Sequence, residues 1–184
     1  MPESPCYPCP ILASSHPHDG NGESGQREEA AMSEAGVPIW KVQLVREGAV
    51  KATRRAVASS EDAATVVASY LKGADREHCV AVLLDARNKV IGLNTISIGT
   101  VSASLVHPRE VFKPAILANA SAVILAHNHP SGELDPSEHD IELTKRLIEA
   151  GKLLGIELTD HLIICEGAHL SLRGSGKVSW GRTR

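Results

Sequence analysis

The chain has 184 residues, the length of a single domain. It is 42% apolar and 22% charged, a globular balance that excludes a fibrous or wholly disordered protein. Aromatic residues make up only 3%, so a core must be built from Val, Ile, Leu and Ala, and a stacking platform for single-stranded nucleic acid is not expected. The net charge of −3 is unevenly placed: residues 1–38 hold six acids and one base, and the remaining 146 hold 16 acids and 18 bases. Neither part carries the basic stripe of a polyphosphate-binding surface, so charge gives nucleic acid no support.

Residues 1–38 contain six of the ten prolines and almost no branched apolar side chains. Such a segment buries too little surface to offset its ordering entropy and is read as a disordered acidic tail. It has no basic n-region and no apolar stretch long enough for a secretory signal. Cys6-x-x-Cys9 and His16-x-His18 have donor spacings that invite a zinc reading. No hydrophobic nucleus surrounds them, so a floppy tail is the plainer reading.

The folded domain is placed at 39–184. Trp40–Val45 alternates as a strand, with Val50–Val57 as its partner. Ser59 caps a helix through Ala63–Leu71 that Gly73 closes, with Glu61 and Asp62 at its electropositive start. His78–Leu84 is an unbroken apolar run and so a buried strand, which Asp85–Asn88 turns back into Val90–Ile98. Pro108-Arg109-Glu110 opens a helix reaching about Asn119, with a kink expected at Pro114.

Ala122–Ala126 is another buried strand. Pro136-Ser137 opens a longer helix, with Leu143, Leu147, Ala150 and Leu154 at helical spacing and Gly155 as its stop. Ile156–Cys165 and His169–Leu172 follow as strands around Glu166-Gly167. Short strands interleaved with unequal helices describe a single α/β (α+β) domain. Cys79 and Cys165 lie in apolar runs, where a thiol packs as a small hydrophobe, and no stretch is suited to span a membrane. A reducing cytoplasm is the expected location.

The densest chemistry lies between Ala126 and Asp140. On a strand, His127 and His129 project to the same side, where two imidazoles can take adjacent corners of a metal site. Pro130 ends the strand, a glycine-bearing loop returns the chain, and Asp140 falls in the first turn of the next helix. Two histidines, one carboxylate and an open position form the pattern of a catalytic zinc site. A plainer reading stands beside it: Ser137 and Asp140 also suit a capping box, and His-x-His can be a polar sheet margin.

His127-x-His129-Pro130, six residues, then Ser137-x-x-Asp140 resembles the JAMM motif of MPN domains, a zinc metalloprotease superfamily. Glu77 to Glu166 is similar to its RadC-like branch, notably at Leu105–Phe112 and Ala126–Gly132. The resemblance covers roughly residues 40 to 175 and implies one MPN domain, a mixed β-sheet flanked by helices in cytidine-deaminase-like layering. It implies one zinc per chain, held by His127, His129 and Asp140. Glu77 is the implied proton carrier, with Glu110 as a rival, and Ser137 the implied holder of the oxyanion.

Zinc lowers the pKa of water from about 16 toward about 7, and a carboxylate can take its proton and return it to a leaving amine. The implied activity is hydrolysis of a peptide or isopeptide bond of unknown identity. A non-catalytic MPN scaffold, or a DNA-repair or anti-restriction factor, is the alternative. RadC-like chains commonly carry a helix-hairpin-helix-like region before this domain, and residues 1–38 do not resemble one, which weakens a role on DNA. Oligomeric state is not legible from these residues.

Overall fold

Strands that are apolar on both faces have to be covered on both, and that requirement organises the molecule. The computed structural model describes residues 37–51, 56–99 and 106–181. The chain divides into two units, Met1–Trp40 and Lys41–Arg184, and only residues 37–40 of the first are described. The predicted tail, with Cys6, Cys9, His16 and His18, lies outside the described residues.

The elements run α1 (Ser60–Tyr70), β1 (His78–Leu84), β2 (Val90–Ile98), α2 (Pro108–Leu117), β3 (Ala122–Asn128), α3 (Glu138–Leu154), β4 (Glu157–Cys165) and β5 (Ala168–Ser171). The strands form one sheet in the order β2-β1-β3-β4-β5. Only β3 and β4 pair in parallel, and α3 makes the crossover between them; the other neighbours are antiparallel. The sheet is therefore mixed and flanked by helices, the α/β arrangement expected from the element order.

Alternation along the strands divides the core in two. Val82, Leu84, Ile124, Ala126 and Leu162 pack with Ala63, Ala64 and Val67 of α1. Cys79, Ala81, Leu83, Val123, Leu125 and Ile163 pack on the opposite face with Phe112 of α2 and Leu143 and Leu147 of α3. His127 continues the odd-numbered series of β3, so it faces the layer that holds α3. Its neighbours in the fold are thus settled by a period of two.

Helix ends follow local chemistry. Ser59 with Asp62, and Ser137 with Asp140, form complete capping boxes at α1 and α3. Gly155 ends α3 in the left-handed region at φ +68°, where a side chain would be strained. The helix predicted to reach Asn119 stops at Leu117, and Asn119 itself adopts φ +51°. Pro114 lies inside α2, where it has no N–H to give the carbonyl of Glu110.

One expected element does not form. Trp40–Val45 makes no strand pairing, and its side chains are exposed, Trp40 at 82%. An alternating pattern becomes a strand only where it pairs, and among the described residues this segment takes up neither open edge of the sheet, β2 or β5. Of its expected partner, residues 52–55 lie outside the described residues, while Ala56 makes a single bridge to Lys89 at the β1–β2 turn. Among the described residues no helix is long and apolar enough to cross a membrane.

Candidate metal centre

The β1–β3 ladder pairs Cys79 with His127 and Val80 with Ala126. Continued by two residues in the same antiparallel register, it sets Glu77 opposite His129, on the face that already holds Cys79 and His127. Beyond the last paired residues, a side chain replaces backbone. The Asn128 amide oxygen accepts the His78 N–H at 2.8 Å, and its Nδ2 donates to the Arg76 carbonyl at 3.0 Å. This clamp on both flanks of Glu77 keeps the carboxylate beside the histidines.

His129 is held from the other side, its backbone N–H donating to Ile164 O at 3.0 Å. Its ring Nδ1 lies 2.7 Å from the Glu133 carbonyl, which can only accept, so Nδ1 carries a hydrogen and Nε2 is the nitrogen turned toward His127. Gly132, at φ +80°, makes the turn that brings Glu133 back over the ring. His127 Nε2 and His129 Nε2 stand 2.9 Å apart. Donor atoms of Glu77, His127 and His129 all fall within 4.8 Å of one another.

Asp140 approaches from the start of α3. Its Oδ2 accepts from the Ser137 backbone N–H at 2.8 Å and the Ser137 hydroxyl at 2.6 Å. Oδ1 is 3.5 Å from His127 Nε2. The capping box and the metal reading are therefore not rivals: one carboxylate oxygen caps the helix and the other faces the histidine. The donor group itself closes around Glu77, with Asp140 beside His127.

Electrostatics follow from burial. His127 is buried, which pushes its pKa down to about 4 against the pull of Asp140, and His161, fully enclosed, falls well below the usual imidazole value for the same reason. Burial, with Glu77 and Asp140 nearby, pushes the Cys79 thiol far up, so it is an inert neighbour and no nucleophile. Above the donors opens a cleft of about 440 Å³, lined by Glu77, His129, Glu133, Asp135 and Ser137 among others. Glu133 and Asp135 make its rim acidic, and Lys177 pairs with Asp135 at 2.9 Å.

Glu110 is placed elsewhere. It lies on the exposed side of α2, paired with Lys113 at 2.6 Å and Arg109 at 3.3 Å, and these cations hold its carboxyl below the ordinary range. His107 is the α2 N-cap, accepting the Arg109 N–H at 3.2 Å. Three residues of the site escape a reading of the motif: Asn128, Thr144 and His161. Asn128 sits between the two histidines and invites no separate notice. Thr144 and His161 reach the site from α3 and β4, His161 directly at His127, and their single signal is a polar residue on an otherwise apolar buried face.

The donor set suits a divalent cation. Two imidazole nitrogens and a carboxylate oxygen in close convergence, with a second carboxylate at hand, match the N and O preference of zinc.

The UPF0758 protein of Desulforamulus reducens is 49% identical over 126 residues, 68% of this chain and 56% of that protein. That of Rubrobacter xylanophilus is 51% identical over 125 residues, 68% of this chain and 55% of its own. The chain thus spans about half the length of the curated relatives it matches. Residues 57–177 match the RadC-like JAB domain, a stretch that runs from the start of α1 past β5 and takes in every donor described above. By that match the chain belongs to the RadC-like JAB domain family.

Proposed function

We propose that the chain is a zinc-dependent hydrolase of peptide or isopeptide bonds, acting in a reducing cytoplasm. The supporting observation is the convergence of Glu77, His127 and His129 donors within 4.8 Å at an open cleft, with Asp140 Oδ1 against His127. His127, His129 and Asp140 would hold the metal, one ion per chain. Zinc, when bound, supplies Lewis acidity and makes hydroxide available near neutral pH.

The chain's own residues supply the rest. Glu77, clamped by Asn128, takes a proton from the attacking water and returns it to the leaving amine. Ser137 lines the cleft with a hydroxyl that now donates to Asp140 Oδ2; rotated toward the cleft, it donates to the developing oxyanion. Cys79 and Cys165 are free thiols, as a reducing compartment allows.

Protein purified without chelator and analysed for metals should contain about one zinc per chain, lost from the His127→Ala, His129→Ala double variant. On a panel of fluorogenic peptides and lysine-linked isopeptides, Glu77→Gln should keep the zinc and lose about 10²–10⁴-fold in turnover. Absence of stoichiometric metal would sink the proposal, as would undiminished hydrolysis by Glu77→Gln.

A further inference from the structure

We propose that Thr144 and His161 are positioning residues that hold His127 as its Nδ1–H tautomer, turning a bare Nε2 toward Glu77 and His129. The purpose of this arrangement rests on the metal reading above; the arrangement itself does not. On α3, Thr144 is fully buried one turn after Asp140. Its hydroxyl oxygen lies 2.5 Å from the Asp140 backbone carbonyl oxygen. A carbonyl has no hydrogen, and two bare oxygens at that separation repel, so the Thr144 hydrogen lies between them.

Threonine has only one such hydrogen. The 2.6 Å contact between Thr144 Oγ1 and His161 Nδ1 must therefore be donated by the ring. His161 is fully buried, which disfavours a charged imidazolium, so its ring is neutral and its Nε2 is bare. That bare nitrogen lies 2.9 Å from His127 Nδ1 and accepts its hydrogen. His127, also buried, is left with a bare Nε2, which faces His129 Nε2 at 2.9 Å and Asp140 Oδ1 at 3.5 Å.

A chain of single hydrogens thus runs from β3 through β4 to α3, and each step leaves the next one no choice. It begins and ends on Asp140, whose carbonyl anchors it and whose carboxylate faces its far end. His129 likewise carries a hydrogen on Nδ1, through an unrelated contact with the Glu133 carbonyl. The two Nε2 atoms, 2.9 Å apart, are close enough to share one hydrogen or to lie against one cation. Without the Thr144 hydroxyl, His161 can reverse, place its hydrogen on Nε2, and drive the His127 hydrogen onto the nitrogen that has to face a metal.

The test is nitrogen-15 NMR of the metal-free full chain above the imidazole titration range. The expected result is a proton bonded to His127 Nδ1, with coupling across the hydrogen bond to His161 Nε2. A proton on His127 Nε2 with Nδ1 bare overturns the assignment. This measurement needs no variant. Thr144→Val, the same shape without the hydroxyl, should scramble the two tautomers and weaken zinc binding about 10–100-fold in chelator competition, while Thr144→Ser keeps both.

A Thr144→Val chain with the tautomers and zinc affinity of the unmutated protein overturns the role of Thr144. If that variant does not fold, the spectrum of the unmutated chain still decides the tautomer. An unmutated chain with the expected tautomers but no zinc uptake defeats the hydrolase reading and leaves the tautomer assignment standing.

Discussion

Single residues in this site serve two purposes, and substitutions can separate them. Ser137 caps α3, accepting the Asp140 N–H at 3.2 Å, and also lines the cleft. Ser137→Ala should cost about 1 kcal/mol of stability through the lost cap, and about 10²–10³-fold in turnover if the hydroxyl also meets the oxyanion. Ser137→Asn keeps a capping oxygen and should restore the stability, read by urea unfolding, without restoring turnover. Recovery of both by asparagine would show that capping alone matters. The histidine pair was legible as residue types at a spacing, because strand alternation is indifferent to context. Thr144 and His161 were not, because a buried polar residue declares its partner only once α3 lies across β3 and β4.

Among the elements, those that bury an apolar face were readable and the one without a partner was not. Unbroken runs such as Val80–Leu84 and Ala122–Ala126 can be satisfied only in the middle of a covered sheet, and both lie there. Trp40–Val45 has an equally good alternation, yet among the described residues it pairs with neither open edge of the sheet. The crossover from α3 to β4 depends on Gly151, where a Cβ would stand 2.5 Å from the Ile156 carbonyl oxygen and 3.3 Å from Phe112 Cζ. A backbone oxygen cannot yield as a flexible side chain does. Gly151→Ala should therefore destabilise the chain by about 1–3 kcal/mol, even though alanine is the better helix former. A denaturation midpoint at or above that of the unmutated chain would contradict this packing. Because α3 carries Asp140 and Thr144, zinc affinity should fall in the same variant.

For the molecule as a whole, the buried imidazoles make stability depend on pH. The folded His127 resists protonation down to about 4, whereas an unfolded histidine takes a proton near its ordinary value of 6.5. His161 is shifted in the same direction. Between those values the unfolded chain binds more protons, so the metal-free protein loses stability as pH falls through that window and gains nothing further above it. Urea midpoints at about pH 7.5 and about pH 5 should show the decline, in a range where most carboxylates stay ionised. A midpoint no lower at the acidic end would mean that the two rings are not held neutral. A metal that binds only the folded chain should raise the midpoint further, and a chelator should remove the increment.

The circuit through Thr144 and His161 also bears on the order in which the chain is made. His161 follows His127 by 34 positions, about 2–7 s of synthesis at roughly 5–20 residues per second. Through that interval the nascent chain has Glu77 and both histidines of the donor group, but nothing to decide which nitrogen of His127 keeps its hydrogen. The parallel pairing of β3 with β4 joins strands far apart in sequence and cannot form until β4 has emerged. A metal ion met before that moment finds donors without orientation, and one met afterwards finds them set. On the proposed metal reading, oriented donors would therefore exist only once the sheet is complete.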